Sequence, residues 1–411
     1  MKIFFLIGWR NLWRNKRRSL VVISAISLGI FSMLLAMGIM NGMNNQMVEN
    51  TIKTSLGHIA IHYEGFQNDM KLKSSFEPEA RIMKAVRDNR YVSHYTKRVK
   101  FEAMIRSSEA SQGVMIMGIH PQSEKDVSSI YGYTIKEEGS SFLESPNSED
   151  ILISTTLADK LDLLVGDRLV VMFQDMNKEL EGHAFTVKGL FQTPISSFDK
   201  YVVYTGINTL QKMAGLENRI TEICIITQKK ELVDVAASLM RDELSEKPLE
   251  ILTWKDMAPS LVRSVALFDT MMYIFFAIIF ITVIFSIANT LIMAIMERFH
   301  EIGVMKSIGT RPSWIGGMVM FEAVNLGLVG LAAGMAAAIL VISLLGITGI
   351  DFGFYAESMR MWGTGTVIYP SLKTMDFVAS ALIVFMNTVI AAIYPALKAA
   401  RIKPLDALHY A

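Results

Sequence analysis

Four long and almost uncharged apolar runs constrain this sequence more than any other feature. A helix rises about 1.5 Å per residue, so a run of about 18 or more apolar residues can cross roughly 30 Å of hydrocarbon. The runs extend from Leu20 to about Met43, from Met271 to Met296, from Trp314 to about Ile350 and from about Phe377 to Leu397. We therefore predict four transmembrane helices, at 19–43, 266–296, 314–350 and 377–397, with both termini on the same side.

The composition agrees with a membrane protein. Of the 411 residues, 51% are hydrophobic and 19% are charged, which is too apolar for an ordinary soluble enzyme. The net charge of +1 gives no general attraction to polyanions, so no nucleic-acid partner is expected. The single cysteine, Cys224, excludes an internal disulfide framework and is predicted to be a small buried side chain. The first apolar run is longer than the core of a signal peptide, so we interpret it as an uncleaved span.

Basic residues near the apolar runs indicate the orientation. Residues 1–18 contain six basic residues and no acidic one, and the segments 297–313 and 398–411 each contain further basic residues. Lys and Arg close to a span stay on the cytoplasmic side. The large segment 44–265 and the short loop 351–376 are therefore predicted to lie on the opposite side.

The segment between the first two spans has the pattern of an α+β domain. Strand-like alternation occurs at 58–64, 113–119, 168–173, 183–191, 200–204 and 222–228, and helical periodicity at 77–89, 156–163, 207–215 and 230–244. The order of these elements suggests a strand-rich subdomain at about 99–219, inserted between flanks at 44–98 and 220–265. No breaker separates Leu261 from the second run, which predicts either a continuous helical stalk or a helix that ends at the interface. The predicted fold class is thus a four-helix membrane protein with a large α+β extracytoplasmic domain between helices 1 and 2.

Motifs for catalysis are absent from the sequence. No GxxxxGK[ST], HExxH, GxSxG or GxGxxG pattern has the required spacing, so we expect no catalytic residue, no metal site and no cofactor in this chain. His58 and His62 would share one face of a strand, which we interpret as an ordinary exposed strand face rather than a weak metal site.

The segment 1–18 combines arginines with Ile3, Phe4, Ile7 and Trp13, as an interfacial helix does. A simple topogenic basic leader is the alternative interpretation.

Glu322 interrupts the third run and is expected to face a protein interface or cavity, or to reach the nearby surface. Gly330 and Gly334 form a G-x-x-x-G pattern that permits close approach of another helix.

The connection between the second and third runs predicts a short amphipathic helix. Its acidic residues come first and its basic residues later, and Gly309 and Pro312 are expected to end it. Ile302, Met305 and Ile308 recur on one face, which could insert into a groove on a soluble partner. Packing of a tight turn on the chain's own spans is the alternative.

Three segments resemble one family of permeases. ERFHEIGVMKSIGT (297–310), FEAVNLGLVGLAAG (321–334) and YPALKAARIKPLDAL (394–408) are similar, in that order, to motifs of the family that includes the lipoprotein-releasing (Lol-type) subunits, the MacB-type exporters and FtsX. The resemblance implies a bacterial inner-membrane protein with its large domain in the periplasm, two permease subunits, identical or paralogous, and two copies of an ABC ATPase that binds ATP and Mg²⁺. The first motif would be the helix that docks on the ATPase, through Glu297, Arg298, Glu301, Ile302, Gly303, Met305, Lys306, Ile308 and Gly309.

Segments 57–66, 114–124 and 157–172 resemble the lipoprotein-releasing subunits more than the other branches. This implies extraction of lipoproteins from the outer leaflet, with membrane lipids and the lipoprotein as ligands. We expect an apolar cavity for acyl chains formed by Met40, Met43, Met271, Met272 and Phe275. A hairpin at 173–185, with Phe173, Met176, Leu180 and Phe185, would be the recruiting site for a periplasmic lipoprotein chaperone, although it lacks the proline expected there. Export of a small molecule or peptide, and regulation of a cell-wall hydrolase, are the alternative functions.

Overall fold

The computed structural model describes residues 16–136, 139–177 and 179–404. The described residues form two compact units. The membrane unit comprises residues 16–44, 265–351 and 367–404, and the sheet unit comprises residues 45–264 and 352–366. The predicted interfacial helix at 1–18 and the end of the C-terminal motif lie largely outside the described residues.

The α-helices are α1 (Lys16–Thr51), α2 (Phe66–Asp69), α3 (Ala80–Arg87), α4 (Pro121–Val127), α5 (Thr155–Leu161), α6 (Ser196–Asp199), α7 (Ile207–Met213), α8 (Val233–Glu243), α9 (Trp254–Met257), α10 (Pro259–Glu297), α11 (Phe299–Ser307), α12 (Pro312–Thr348), α13 (Ala356–Met361) and α14 (Thr374–Ala400). The strands are β1 (Ile59–Tyr63), β2 (Val92–Arg106), β3 (Ser111–Ile119), β4 (Asp150–Ser154), β5 (Arg168–Gln174), β6 (Leu180–Phe191), β7 (Val202–Gly206), β8 (Glu222–Thr227), β9 (Leu249–Thr253), β10 (Ile350–Asp351) and β11 (Val367–Ile368). A π-helical turn, Ile52–Leu56, directly follows α1.

Four helices among the described residues are long and apolar enough to cross a membrane. They are α1, α10, α12 and α14, which contain the four apolar runs of the sequence. Helix α10 is continuous from Pro259, so the residues around Leu261 belong to the same helix as the second run. The predicted fold class, four apolar helices with a mixed α+β domain, is confirmed.

The core of the membrane unit consists of apolar side chains from these helices and from α11. Val22, Ile26 and Ile30 of α1 are buried together with residues of α10, α12 and α14. Gly327 allows close approach of α12 and α14, since a Cβ added at this position would lie 2.6 Å from Thr388 Oγ1 on α14.

The sheet unit is built on nine strands in the order β3-β7-β4-β6-β5-β2-β8-β1-β9, and β3 also pairs with β2. The pairings β3–β7 and β4–β6 are parallel, and the others are antiparallel. Strand β2 is shared: its first half pairs with β8 and its second half with β3 and β5. The two parts suggested by the sequence therefore belong to one sheet, and the expected boundary near residue 99 lies inside β2.

Candidate functional site

The short helix α11 lies between α10 and α12, and a glycine ends it. Gly309 has φ +94°, a left-handed conformation that glycine adopts without a Cβ penalty. Its N–H donates to Lys306 O, and the N–H of Thr310 donates to Met305 O. This pair of hydrogen bonds is a Schellman motif, which satisfies carbonyls at the helix end. The predicted end of the helix at Gly309 is confirmed.

Two charged side chains attach α11 and its N-terminus to neighbouring helices. Arg298 Nη1 lies 3.2 Å from Glu322 Oε2 on α12, and both side chains are largely buried. Lys306 Nζ donates to Ala400 O and to Ile402 O, each at 2.7 Å, where α14 ends. A cation is favourable there because the C-terminal carbonyls of a helix carry partial negative charge. Glu322 therefore faces protein, as predicted, and Lys306 attaches α11 to the end of α14.

The structure corrects the predicted docking face of α11. Ile302 is only 5% exposed and belongs to the buried core of the membrane unit, and Met305 packs against the same core. Ile308, at 77% exposure, lies just beyond the helix and so no longer follows its periodicity. Val304, four residues earlier, is 40% exposed. The apolar side chains that α11 presents to its surroundings are thus Val304 and Ile308, while Ile302 and Met305 face the chain itself.

A small cavity of about 150 Å³ lies where α10, α11 and α12 meet. Arg298, Glu322, Met305 and Val319 are among the residues that line it. Of the other residues in the predicted docking motif, Gly303 is buried, whereas Glu297 and Glu301 are exposed.

The G-x-x-x-G pattern of α12 packs on the first span of the same chain. A Cβ at Gly330 would lie 2.7 Å from Ile26 Cγ2, and a Cβ at Gly334 would lie 2.7 Å from Ser27 O. Ser27 Oγ also donates to Gly330 O at 3.0 Å. These two glycines therefore allow close approach of α1 and α12 within the membrane unit.

The residues predicted to line a lipid cavity are accessible in different degrees. Met271 and Phe275 are exposed, and Met40, Met43 and Met272 are partly buried. Their meeting in one cavity between two subunits stays a prediction.

The predicted hairpin is present, but half of its suggested contact residues are not on its surface. Strands β5 and β6 pair in antiparallel register, and Asp175 Oδ1 accepts the N–H groups of Asn177 and Glu179 in the connection. Phe173 and Phe185 are buried in the core of the sheet unit and cannot contact a chaperone. This correction follows from the alternation of β5 and β6, which turns both rings inward. Met176 is partly buried and Leu180 is 72% exposed.

The interpretation of His62 as part of an exposed strand face is wrong. His62 is fully buried on β1, and its Nδ1 lies 3.0 Å from Thr221 O. His58 Nδ1 instead accepts the N–H of Thr227. No cluster of three or more His, Cys, Asp or Glu side chains with metal-binding geometry occurs in the part of the chain that the structure describes.

A buried charge network in the sheet unit was missed by the sequence reasoning. Arg98 binds Glu124 and Glu222, Glu222 also binds Lys100, and His62 Nε2 lies 3.3 Å from Glu222 Oε2. Burial and the Lys100 charge lower the pKa of His62 to about 4. Burial alone would raise the pKa of Glu222, but Lys100, His62 and Arg98 lower it to about 2. The run of charged residues on β2 was the available signal, but exposed strand faces also carry such runs.

Arg98 of this network, together with Tyr204 and Ser129, holds the π-helical turn that follows α1. Arg98 Nη1 donates to Ser55 O, Tyr204 Oη donates to Thr54 O, and the N–H of Ser129 donates to Lys53 O. Cys224 is buried, as predicted, with Sγ 3.6 Å from Leu56 O, and burial raises the pKa of its thiol to about 12. The connection between the first apolar helix and β1 is thereby fixed to the core of the sheet unit.

Two family descriptions match the chain. A MacB-like periplasmic core domain matches residues 19–243, more than half of the sequence, and an FtsX-like permease C-terminal domain matches residues 273–404. Among curated proteins, the lipoprotein-releasing system transmembrane protein LolC of Neisseria meningitidis is 22% identical over 98% of each chain. LolE of Haemophilus influenzae is also 22% identical over 98% of each chain. YknZ of Bacillus subtilis, an uncharacterized ABC transporter permease, is 23% identical over 96% of each chain.

Two solved structures are similar at low scores. The periplasmic region of MacB from Actinobacillus actinomycetemcomitans has a TM-score of 0.35 and 14% identity, covering 52% of this chain and 97% of that one. The extracellular domain of YknZ has a TM-score of 0.34 and 16% identity, covering 48% of this chain and 100% of that one.

Proposed function

The chain belongs to the family of ABC transporter permeases that join a MacB-like periplasmic core domain to an FtsX-like permease domain, and from this premise we propose that it extracts lipoproteins from a membrane. In this proposal it is a non-catalytic subunit in the bacterial inner membrane, with the sheet unit in the periplasm. Lipoproteins leave the outer leaflet for transfer towards the outer membrane, and a partner ATPase that binds ATP and Mg²⁺ drives the step.

The geometry of α11 supports coupling to an ATPase. Arg298 and Lys306 attach its two ends to α12 and α14, so a force applied to α11 would be transmitted to both spans. Two exposed apolar side chains lie near the C-terminal end of the helix: Val304 on the helix and Ile308 directly after it. A short, rigidly attached helix with an exposed apolar pair suits insertion into a groove on a soluble partner.

The similarity to Lol proteins over the full length is the observation that supports lipoprotein as the substrate. The two Lol relatives described above match this chain nearly from end to end, so the similarity includes the sheet unit as well as the spans. We propose an assembly of two permease subunits, identical or paralogous, with two ATPase copies. A periplasmic chaperone would accept the lipoprotein, and the exposed Leu180 is the hairpin residue best placed to contact it.

Reconstitution tests this function directly. The chain and its ATPase would be placed in liposomes that carry a fluorescent lipoprotein in the accessible leaflet. We expect release of the lipoprotein into the soluble fraction only with hydrolysable ATP, and no release with an ATPase variant that binds but does not hydrolyse ATP. Steady ATP hydrolysis without lipoprotein release would contradict extraction and favour export or regulation.

A further inference from the structure

A second cavity of the membrane unit lies where α11 begins and α14 ends. It has a volume of about 460 Å³, and Phe299 of α11 forms part of its wall. The rest of the wall comes from the last turns of α14 and from the residues directly after that helix. Three of these wall residues are cations: Lys398, Arg401 and Lys403. The cavity therefore places three positive charges beside the end of an apolar span.

These three cations have no counter-charge in the part of the chain that the structure describes. None of them forms an ion pair with a described carboxylate, and no described carboxylate lines the cavity. All three side chains are exposed. Like charges at one cavity repel each other, so an anion that enters it is attracted by all three and relieves their repulsion.

The end of α14 does not oppose an anion in this place. The last carbonyls of a helix carry partial negative charge, which by itself disfavours a bound anion. Here Lys306 Nζ donates to Ala400 O and to Ile402 O, each at 2.7 Å. A fourth cation thus offsets the charge of these carbonyls, and the three cations of the cavity wall can bind an external ligand.

An exposed apolar row on α14 leads away from the cavity. Its members recur every three or four residues and therefore lie on one face of the helix: Leu382, Met386, Ile390, Ile393, Tyr394 and Leu397. Tyr394 and Leu397 also line the cavity, so the row is continuous with it. A ligand with its anionic group in the cavity could lay apolar chains along this row. A free phosphate or a soluble acidic partner would use the cations but leave the row uncovered.

We propose that this cavity binds the headgroup of an anionic glycerophospholipid in the leaflet at this end of α14, which the distribution of basic residues makes the cytoplasmic leaflet. The three cations bind the phosphate, and the apolar row binds the acyl chains. Because Phe299 belongs to α11, the bound lipid contacts both α11 and α14. The site is separate from the proposed release of lipoproteins and requires only that α14 spans a membrane.

Native mass spectrometry of the full chain in a neutral detergent tests this site. The probes are phosphatidylglycerol and phosphatidylcholine with identical acyl chains, so only the headgroup differs. The cavity variant, Lys398→Gln/Arg401→Gln/Lys403→Gln, removes the three cations. We expect wild type to bind phosphatidylglycerol more tightly than phosphatidylcholine, and the cavity variant to lose about tenfold or more of its affinity for phosphatidylglycerol.

The control variant, Lys16→Gln/Arg17→Gln/Arg311→Gln, removes three exposed cations from the starts of α1 and α12, outside the cavity. The sequence places these positions on the same side of the membrane as the cavity. The control variant should keep the affinity of wild type. An equal loss in both variants would show a general attraction of charge instead of a site, and would overturn the assignment.

Two further measurements separate a lipid from other anionic ligands. A phosphatidylglycerol with a diazirine in one acyl chain should label the segment 382–397 in wild type and in the control variant, and several-fold less in the cavity variant. Displacement of the lipid by free glycerol phosphate at a similar concentration would contradict a role for the acyl chains. Weaker co-purification of the ATPase with the cavity variant, together with unchanged phosphatidylglycerol binding, would assign the cations to the ATPase interface and overturn the lipid site. None of these measurements depends on lipoprotein release.

Discussion

At the scale of single residues, Arg98 joins three parts of the sheet unit. Its guanidinium binds Glu124 on α4 and Glu222 on β8, and it donates to Ser55 O in the π-helical turn. All three charged side chains are buried. Removing one member of such a group leaves another charge buried without a partner, which is more costly than losing an exposed ion pair.

We predict that Arg98→Met lowers the free energy of unfolding by about 3–5 kcal/mol, because Glu124 would then be buried without its counter-charge. Arg81, whose pair with Glu246 is exposed, gives the matched control. Arg81→Met should change the stability by less than about 1 kcal/mol. Denaturant unfolding of the full chain in detergent measures both. Similar losses in the two variants would contradict a central role for the buried network.

The titration of His62 and Glu222 predicts lower stability in acid. The folded pKa of His62 is about 4, below its ordinary 6.5, so between these values the unfolded chain binds the extra proton. The folded pKa of Glu222 is about 2, below its ordinary 4.5, so the same holds in that lower window. Wherever the unfolded state binds more protons than the folded state, stability decreases as the pH falls, so both groups destabilise the protein in acid.

We therefore expect the melting temperature of the full chain to decrease from pH 7 to pH 4, with His62 contributing between about 6.5 and 4. In His62→Gln this part of the decrease should be smaller, because glutamine does not titrate. Thermal unfolding at half-unit pH intervals checks this. An unchanged slope in the variant would show that His62 is not responsible.

At the scale of elements, one side of α11 packs against the core of the membrane unit and the other side is exposed. Val304→Asp or Ile308→Asp should weaken binding of the ATPase tenfold or more, because a charge buried at an interface costs at least about 1–3 kcal/mol. Ile302→Asp should instead destabilise the membrane unit, since Ile302 lies in its core. Co-purification and lipoprotein-stimulated ATP hydrolysis measure the first effect, and thermal unfolding the second.

Leu164→Asp, an equally polar change at an exposed position of the sheet unit, serves as the control for α11. It should leave ATPase binding unchanged. Normal complex formation by both Val304→Asp and Ile308→Asp would exclude α11 as the docking element.

The close approach of α1 and α12 predicts a second effect at this scale. In Gly334→Ala the new methyl group would lie 2.7 Å from Ser27 O and 2.9 Å from Ile30 Cβ. Overpacking of this kind costs about 1–3 kcal/mol. Gly317 lies on the same helix with open space around its Cα, so Gly317→Ala is the matched control. We expect a lower melting temperature in the first variant only, and equal values would argue against close packing at Gly334.

At the scale of the whole molecule, extraction requires that the outer ends of the first two spans meet the acyl chains. A photo-crosslinking residue at Met43 or Met272 should therefore capture a lipoprotein in the nucleotide-free state and release it on addition of ATP. These positions suit a probe because neither side chain is fully buried. Crosslinks only to bulk phospholipid, without dependence on nucleotide, would weaken the extraction model.

The sequence alone determined the features that depend on local pattern. The four apolar helices, the α+β character of the segment between the first two and the helix end at Gly309 follow from periodicity, hydropathy and glycine conformation, which neighbouring residues encode. The burial of Cys224 also followed from its residue type.

Only the tertiary structure decided which partner each side chain meets. An apolar stripe such as Ile302, Met305 and Ile308 indicates that a face is buried, but not whether it packs on the same chain or on another. The ion pair of Arg298 and Glu322 joins residues 24 positions apart, and Lys306 binds Ala400 O 94 positions away. The inward orientation of Phe173 and the burial of His62 likewise depend on strands that are distant in sequence. Such contacts arise from packing between elements, and no local pattern encodes that packing.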